Sequence, residues 1–228
     1  MELDIFIEGE TIDLCIPTLE FAERSDWYTW FNHPHTTMFL EHGVFPNTKE
    51  KQIDFFKREC NERLILMIQD KKQEVIGTAT ISHINYQKSY GGLGIVFKTI
   101  FRENPLEALE AVARITEHAF IKMGLKRIEA AQHIKLIPWS HRMSLVGYRL
   151  EGILKNAFVK GIEVVDVIRI AAHYEDYQKI IAHRGGQLWD SQKQMLERLK
   201  KLPKKPIHKE LQDFFKEHEH YYEEIFQS

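Results

Sequence analysis

Between Ser144 and Ile170 the chain reads SLVGYRLEGILKNAFVKGIEVVDVIRI. Its first residues close a short helix, PWSHRMSLV, and Gly147 follows where a helix C-terminus favours the left-handed backbone that glycine adopts without strain. Two runs rich in β-branched and aromatic residues then flank Lys160-Gly161, which predicts an antiparallel hairpin turning at Gly161. The returning run carries one isolated acid, Asp166. A helix end, the aromatic Tyr148, the step RLEG and a hairpin succeed one another without a gap, and this order constrains what precedes them.

Upstream, KRIEAAQHI reads as a strand, and before it the apolar period changes from two to 3.6. Leu109, Val112, Thr116, Ala119, Phe120 and Met123 mark one face of a long helix that starts near Pro105 and stops at Gly124. Further upstream GGLGIVF, EVIGTATISHI and RLILMIQD read as strands, the last two separated by the polar turn Lys71-Lys72-Gln73. FPNTKEKQIDFFKRECNER predicts a helix capped by Asn47 or Thr48. TIDLCI alternates as a strand, and Pro17-Thr18 opens a single helix running through Trp27 and Trp30. Strand, two helices, a run of antiparallel strands, a long helix, a strand, a short helix and a hairpin define a mixed α+β fold.

Downstream of His173 the character shifts. RGGQLWDSQKQMLERLKKLPKKP opens on a glycine pair, Ser191 and Gln194 offer a capping box, and Pro203 and Pro206 punctuate its end. A last helix is predicted with Ile207, Leu211, Phe214, Phe215 and Tyr222 on one face. The reading is one domain over residues 1–173 and a helical C-terminal extension over 174–228.

Composition narrows the function. A net charge of -2 gives no global attraction to nucleic acid or anionic membrane. Six Lys/Arg without an acid occur in RLKKLPKKPIHK, but the extension carries ten basic and ten acidic groups, so a solvated helix edge is favoured over RNA docking. The start, MELDIFIEGETIDL, has no basic region followed by an apolar core, and no apolar run is long enough to span a bilayer, so a cytoplasmic protein is expected. Cys15 and Cys60 belong to no CxxC, and the HPH and HEH pairs lack further ligands at metal-site spacing, so no metal is expected.

The segment SHRMSLVGYRLEGILK, followed by a hairpin containing VVDVI, resembles the acetyl-CoA-dependent N-acetyltransferase (GNAT) superfamily. Within it, the resemblance is to the branch that acetylates ribosomal-protein N-termini, aminoglycosides and nucleotide-sugar amines. TIDLCIPTLEFAERSDWYTWFNHP, EVIGTATI and LEALEAVARITEHAFIKMGLKRIEA agree with that branch in order, over residues about 8 to 173. The resemblance implies a mixed, mostly antiparallel sheet flanked by helices. It also implies acetyl-CoA, or another acyl-CoA, as co-substrate, bound where the family's fourth and fifth strands part.

Backbone groups of Ile95, Val96 and Phe97 would then pair with the pantetheine arm, with an N–H near Val96 serving the oxyanion. The pyrophosphate would sit on the N-terminus of the long helix, around Arg102, Asn104 and Leu106. The family's basic, glycine-rich loop is replaced there by FRENPLEAL, which has no glycine, loses an N–H at Pro105 and adds Glu103 and Glu107. Asn104 is placed to cap the helix with its own side chain. For chemistry, RIEAAQHI puts Glu129 and His133 on one face of its strand, with His133 the first candidate base and Glu129 the second. The family's Asn and Ser positions fall on Leu136 and on Trp139 or Ser140, and Ser140 or His141 is left to stand in as the acid, with Ser140 carried forward as the candidate. Trp30, Asn32 and His35 would line the acceptor side.

An N-acetyltransferase acting on a small amine, an amino-sugar or a protein amine is the first reading. A catalytically silent partner-binding relative and an RNA- or ribosome-associated adaptor are the alternatives. Phe214, Phe215, Tyr221 and Tyr222 are expected to seat the extension on the core or on a second copy in a homodimer.

Overall fold

The computed structural model describes residues 2–99 and 104–202, together with 206, 209, 212–213, 216, 219–220 and 223. Eight strands form one sheet: β1 (Ile5–Ile7), β2 (Ile12–Cys15), β3 (Leu64–Asp70), β4 (Val75–Asn85), β5 (Tyr90–Phe97), β6 (Arg127–His133), β7 (Tyr148–Lys160) and β8 (Glu163–His173). Their order across the sheet is β1-β2-β3-β4-β5-β6-β8-β7. Every neighbouring pair is antiparallel except β5 and β6. That parallel pair needs a crossover, which the long helix supplies.

Before the sheet's centre come the short helices α1 (Leu19–Arg24), α2 (Trp27–Trp30) and α3 (Pro34–Thr37), then α4 (Lys49–Glu59). The crossover helix is α5 (Glu107–Ile121); α6 (Ile137–Met143), α7 (Tyr174–Ala182) and α8 (Gln192–Lys201) belong to the second half. The alternation of strand residues divides the packing between two faces. Leu14, Leu66 and Ile68 pack with Leu109, Val112 and Ile115 of α5, while Cys15, Ile65 and Met67 pack with Phe21, Trp27 and Phe56 on the other side. The sheet is therefore buried on both faces over β2 to β4 and covered chiefly on one face beyond them.

Several sequence readings hold. Thr48 is the cap of α4, accepting the N–H of Lys51, whereas Asn47 bonds Tyr28 and Gln52 instead. Gly147 and Gly161 both take positive φ, at 93° and 61°. Three readings are corrected. The single helix through Trp30 is two helices broken at Ser25-Asp26, because Ser25 turns extended and ends α1. The edge strand β1 is absent from the sequence reading: its Ile5 and Phe6 are exposed and give no clean alternation. Ser191 caps α8 by accepting the N–H of Gln194, but its own N–H goes to Asp190 rather than to Gln194, so the capping box is only half made.

Residues 174–202 lie on the α5 face of the sheet, where Tyr177, Leu188, Trp189 and Met195 share one apolar cluster with Leu109 and Ile128. The last predicted helix and its aromatics, Phe214, Phe215, Tyr221 and Tyr222, lie outside the described residues.

Asp166 explains itself in the hairpin. Leu154 pairs with Val167 and Phe158 with Val165, so three residues of β7 face one of β8. Asn156 adopts φ 55° there, and its N–H is taken by Asp166 Oδ1 at 2.8 Å. The resulting bulge bends the hairpin, and Phe158 is buried against the ring of His133. Replacing Asp166 with alanine is expected to cost about 1 kcal/mol, the worth of one hydrogen bond at a partly solvated bulge. Chemical denaturation measures this, and an unchanged midpoint would show that the bulge holds without its cap.

Candidate active site

The parallel pairing of β5 and β6 covers only Tyr90–Arg127, Gly91–Ile128 and Gly92–Glu129. Beyond it the strands diverge. β5 continues to Phe97 bonded to β4 alone, and β6 continues to His133 bonded to β8 alone. Two strand edges thus face each other across a wedge, with their inward N–H and C=O groups free of one another.

The wedge is a cavity of about 540 Å³. Leu93, Ile95, Val96 and Phe97 form one wall and Ala130, Ala131 and Gln132 the other. Leu136, Trp139, Arg142 and Met143 close it from the side of α6, and Asn104, Pro105, Glu107 and Ala108 from the start of α5. Thr36, Phe39 and Leu40 bound it from the segment at α3. That segment is fastened at three points: Thr36 Oγ1 donates to Lys98 O at 2.8 Å, the Phe39 ring lies 5.1 Å from that of His133, and Lys160 Nζ donates to Thr37 O at 2.6 Å.

The sequence-predicted residues fall in three places. Ile95, Val96, Phe97 and Asn104 line the wedge. Leu106 does not: its side chain is in the core and its N–H is taken by Asn104 Oδ1 at 3.0 Å. Arg102 lies outside the described residues. Trp30, Asn32 and His35 line a different depression of about 890 Å³, which shares only Thr99 with the wedge. Trp30 is 2% exposed and mostly a packing residue, and Asn32 clamps both the N–H and the C=O of Asn47.

The three candidate catalytic side chains are all committed to protein partners. His133 is 1% exposed, with its ring between Phe39 and Phe158 and its Nδ1 accepting the N–H of Lys135. Its Nε2 is 3.4 Å from Glu163 Oε1, too loose for a full hydrogen bond, and it does not reach the wedge. Ser140 is buried behind the wall, accepting from Gln132 Nε2 at 3.0 Å. Glu129 stands opposite Gly92 at the point of the wedge, its carboxylate 2.9 Å from Arg169 and 3.5 Å from Arg127.

The same face carries Glu151, which bonds both Arg127 and His173. Burial alone would raise its pKa, but the hydrogen bonds from Arg127 and His173 outweigh it and hold the carboxyl down at about 2. A depressed folded-state pKa stabilises the fold above the ordinary carboxyl pKa of 4.5 and loses that contribution as pH falls toward 2. Glu151→Gln should therefore flatten the loss of stability between about pH 4.5 and 2, read as melting temperature against pH; an unaltered slope would refute this.

Sequence reasoning missed Gln132, Trp139, Arg142 and the Thr36–Leu40 segment. Gln132 had a signal: it shares the strand register of Ile128 and Ala130, which faces the core side, where an amide is out of place unless it is used. Arg142 has no ion-pair partner among the described residues.

Residues 13–135, more than half of the sequence, match the family described as "Acetyltransferase (GNAT) domain". The chain belongs to the GNAT acetyltransferase family: it is an N-acyltransferase, and acetyl-CoA is its co-substrate. Solved structures share the fold at low identity. The spermidine N-acetyltransferase of Vibrio cholerae, crystallised with CoA and spermine, is 15% identical with a TM-score of 0.67, over 74% of this chain and 98% of that one. A GNAT-family acetyltransferase from Bacillus anthracis is 22% identical with a TM-score of 0.61, over 75% and 99%. The microcin C7 self-immunity acetyltransferase MccE, in complex with acetyl-CoA and AMP, is 19% identical with a TM-score of 0.59, over 72% and 93%. No curated protein matches the sequence. No described helix is long and apolar enough to cross a membrane.

The wedge fits one part of the co-substrate better than the other. Two free strand edges with apolar walls suit a flexible arm containing two amides. The start of α5 suits a pyrophosphate less well, since Pro105 has no N–H, Asn104 has taken that of Leu106, and Glu107 lies beside it.

Proposed function

We propose that this chain acetylates a primary amine, with donor and acceptor bound together and approaching from opposite faces of the sheet. The observation that carries this reading is the parting of β5 and β6 at Gly92–Glu129. When bound, acetyl-CoA supplies a thioester whose carbonyl carbon the amine attacks, with the CoA sulfur leaving as thiolate. The inward N–H groups of β5, those of Ile95 and Phe97 on either side of Val96, are the donors for the carbonyl oxygen as it gains charge. Arg142, reaching the wedge from α6, supplies positive charge toward the phosphates in addition to Arg102.

The acceptor comes over the face that carries Gly92, Gly94 and Glu129, where β5 has no side chain between Tyr90 and Val96. Glu129 is the carboxylate placed to hold the incoming ammonium and take its proton. Arg127 and Arg169 hold its carboxylate in place, and an acceptor such as an α-amine of pKa about 8 needs only a modest base. His133 and Ser140 serve here as packing and orienting groups. The acceptor class is an α-amine, an amino-sugar or a polyamine such as spermidine, with ribosomal-protein N-termini, aminoglycosides and nucleotide-sugars the first set to try.

Calorimetric titration of the purified chain with acetyl-CoA and CoA tests the donor site, with Arg102→Ala as a comparison. Micromolar binding supports it, and release of free CoA thiol on adding amines then identifies the acceptor. No binding at millimolar ligand by a folded protein would overturn the proposal.

A further inference from the structure

The face of the sheet that carries Glu129 holds two groups of charges, and they differ in how fully they are paired. On the closed side of the parting, Arg127 donates from Nη1 and Nη2 to the two oxygens of Glu151, at 2.6 and 2.5 Å. His173 Nε2 lies 3.0 Å from the same carboxylate. That group is spent on itself. At the parting stands Glu129, the last residue of β6 paired with β5. Its ion pairs, to Arg169 at 2.9 Å and to Arg127 at 3.5 Å, both end on Oε2, which leaves Oε1 for a ligand. Arg169 comes one step past the parting, opposite Ala131, a residue of the wedge. Glu129 is its one partner among the described residues, so most of its five N–H groups are unused. Both side chains are partly open to solvent, at 27% for Glu129 and 35% for Arg169.

Stability does not call for this second pair: a partly exposed ion pair adds little, and Arg127 reaches Glu129 without it. A carboxylate oxygen and a guanidinium side by side, each with valences unspent, are the complement of a molecule whose own ammonium and carboxylate are neighbours. We infer that the acceptor is a free α-amino acid or a close analogue, with its ammonium on Glu129 Oε1 and its carboxylate gripped by two N–H groups of Arg169. This rests on the proposed acetyl transfer with Glu129 as the carboxylate that receives the amine, and it selects within that acceptor class. The strand order β5-β6-β8 orients such a molecule. Glu129 is on the strand next to β5 and Arg169 is one strand farther out, so the amine points toward the gap that holds the thioester and the carboxylate points away from it. A peptide N-terminus has an uncharged carbonyl where the carboxylate would be, and a polyamine has no anion, so both leave Arg169 without a charged partner.

The test compares free L-amino acids with their carboxamides as acceptors, read as release of CoA thiol from acetyl-CoA, once calorimetry has shown that the protein binds CoA. The amides keep the amine and the side chain and lose the negative charge. The wild type is expected to favour at least one amino acid over its amide by about tenfold or more in kcat/KM, the effect of a charged hydrogen-bonded contact. Arg169→Gln should raise KM for that amino acid roughly ten- to a hundredfold, hold kcat within about threefold, and abolish the preference over the amide. Arg169→Lys keeps the charge without the fork and should fall between the two. Circular dichroism checks that each variant is folded. An arginine that only supports the fold would lower kcat/KM for acid and amide alike, and that result would overturn the assignment. So would a wild type that binds CoA but is indifferent to the carboxylate or acetylates no amino acid, and this comparison decides the matter even where a variant does not fold. A wild type that binds no CoA overturns the donor-site reading instead, and this assignment with it.

Discussion

Replacing Glu110 with alanine is expected to lower stability by about 3–5 kcal/mol, the range for removing one partner of a buried charged network. Glu110 is on α5 and fully buried, with 0% exposure. Its carboxylate accepts the N–H of Glu10 at 2.6 Å, the N–H of Thr11 at 2.7 Å and the Thr11 hydroxyl at 2.6 Å. It also pairs with Arg114 at 3.2 Å. Alanine leaves two backbone donors and a half-buried guanidinium without their acceptor. Beyond the turn, Glu10 receives Trp189 Nε1 at 2.8 Å and the N–H of Gln192, so the turn before β2, the central helix and α8 are joined through two carboxylates. The melting temperature should fall by roughly 6–20 °C for a domain of this size. A fall below about 2 °C would show that the turn is held by other means.

The second large effect is on function rather than folding. Ala130→Phe puts a ring into the wedge at the β6 wall, facing the apolar wall of β5. The added volume occupies the space a pantetheine arm needs. Overpacking of this kind costs ~1–3 kcal/mol or more against a bound ligand, and each 1.4 kcal/mol is tenfold. The dissociation constant for CoA should rise by roughly five- to a hundredfold. Ala130 also packs against the apolar cluster of the sheet, so some fall in melting temperature is expected as well, and the affinity is read on protein shown by circular dichroism to be folded. Unchanged CoA affinity in this variant would mean that the cofactor lies elsewhere.

The mixed fold was legible wherever local chemistry decides structure. The hairpin from Tyr148 to His173 followed from β-branched runs and Gly161, and the central helix from its apolar stripe and Gly124. What escaped were features set by partners distant in sequence. Asp166 looked like a solitary acid because its role is to catch Asn156 across a bulge, and nothing in the nine residues between them announces it. Trp189 and Leu188 read as part of an appendage, yet they are buried in the same cluster as Ile128.

The candidate site was legible in a similar proportion. The resemblance led to Ile95, Val96 and Phe97 on the free edge of β5, a location that depends on topology shared across the family. Side chains chosen by chemical type fared differently. A histidine at a strand end suggests a base, but His133 is enclosed by two phenylalanines that arrive from positions 39 and 158. Trp30, Asn32 and His35 line their own depression together with Val75, Ile76 and Lys98 and are not among the residues of the wedge. No spacing along the chain records such contacts.

The parting of β5 and β6 leaves a signature in hydrogen exchange. Along Leu93–Phe97 successive amides point alternately toward β4 and toward the gap, and only the first set is tied into the ladder. Amides of one short strand should therefore exchange with deuterium on two timescales, protected and fast residues interleaved one by one. A ligand laid along the gap as a surrogate strand would slow the fast set and leave the protected set unchanged. The chain thus carries, in five consecutive backbone amides, an internal reference beside its own reporter of occupancy.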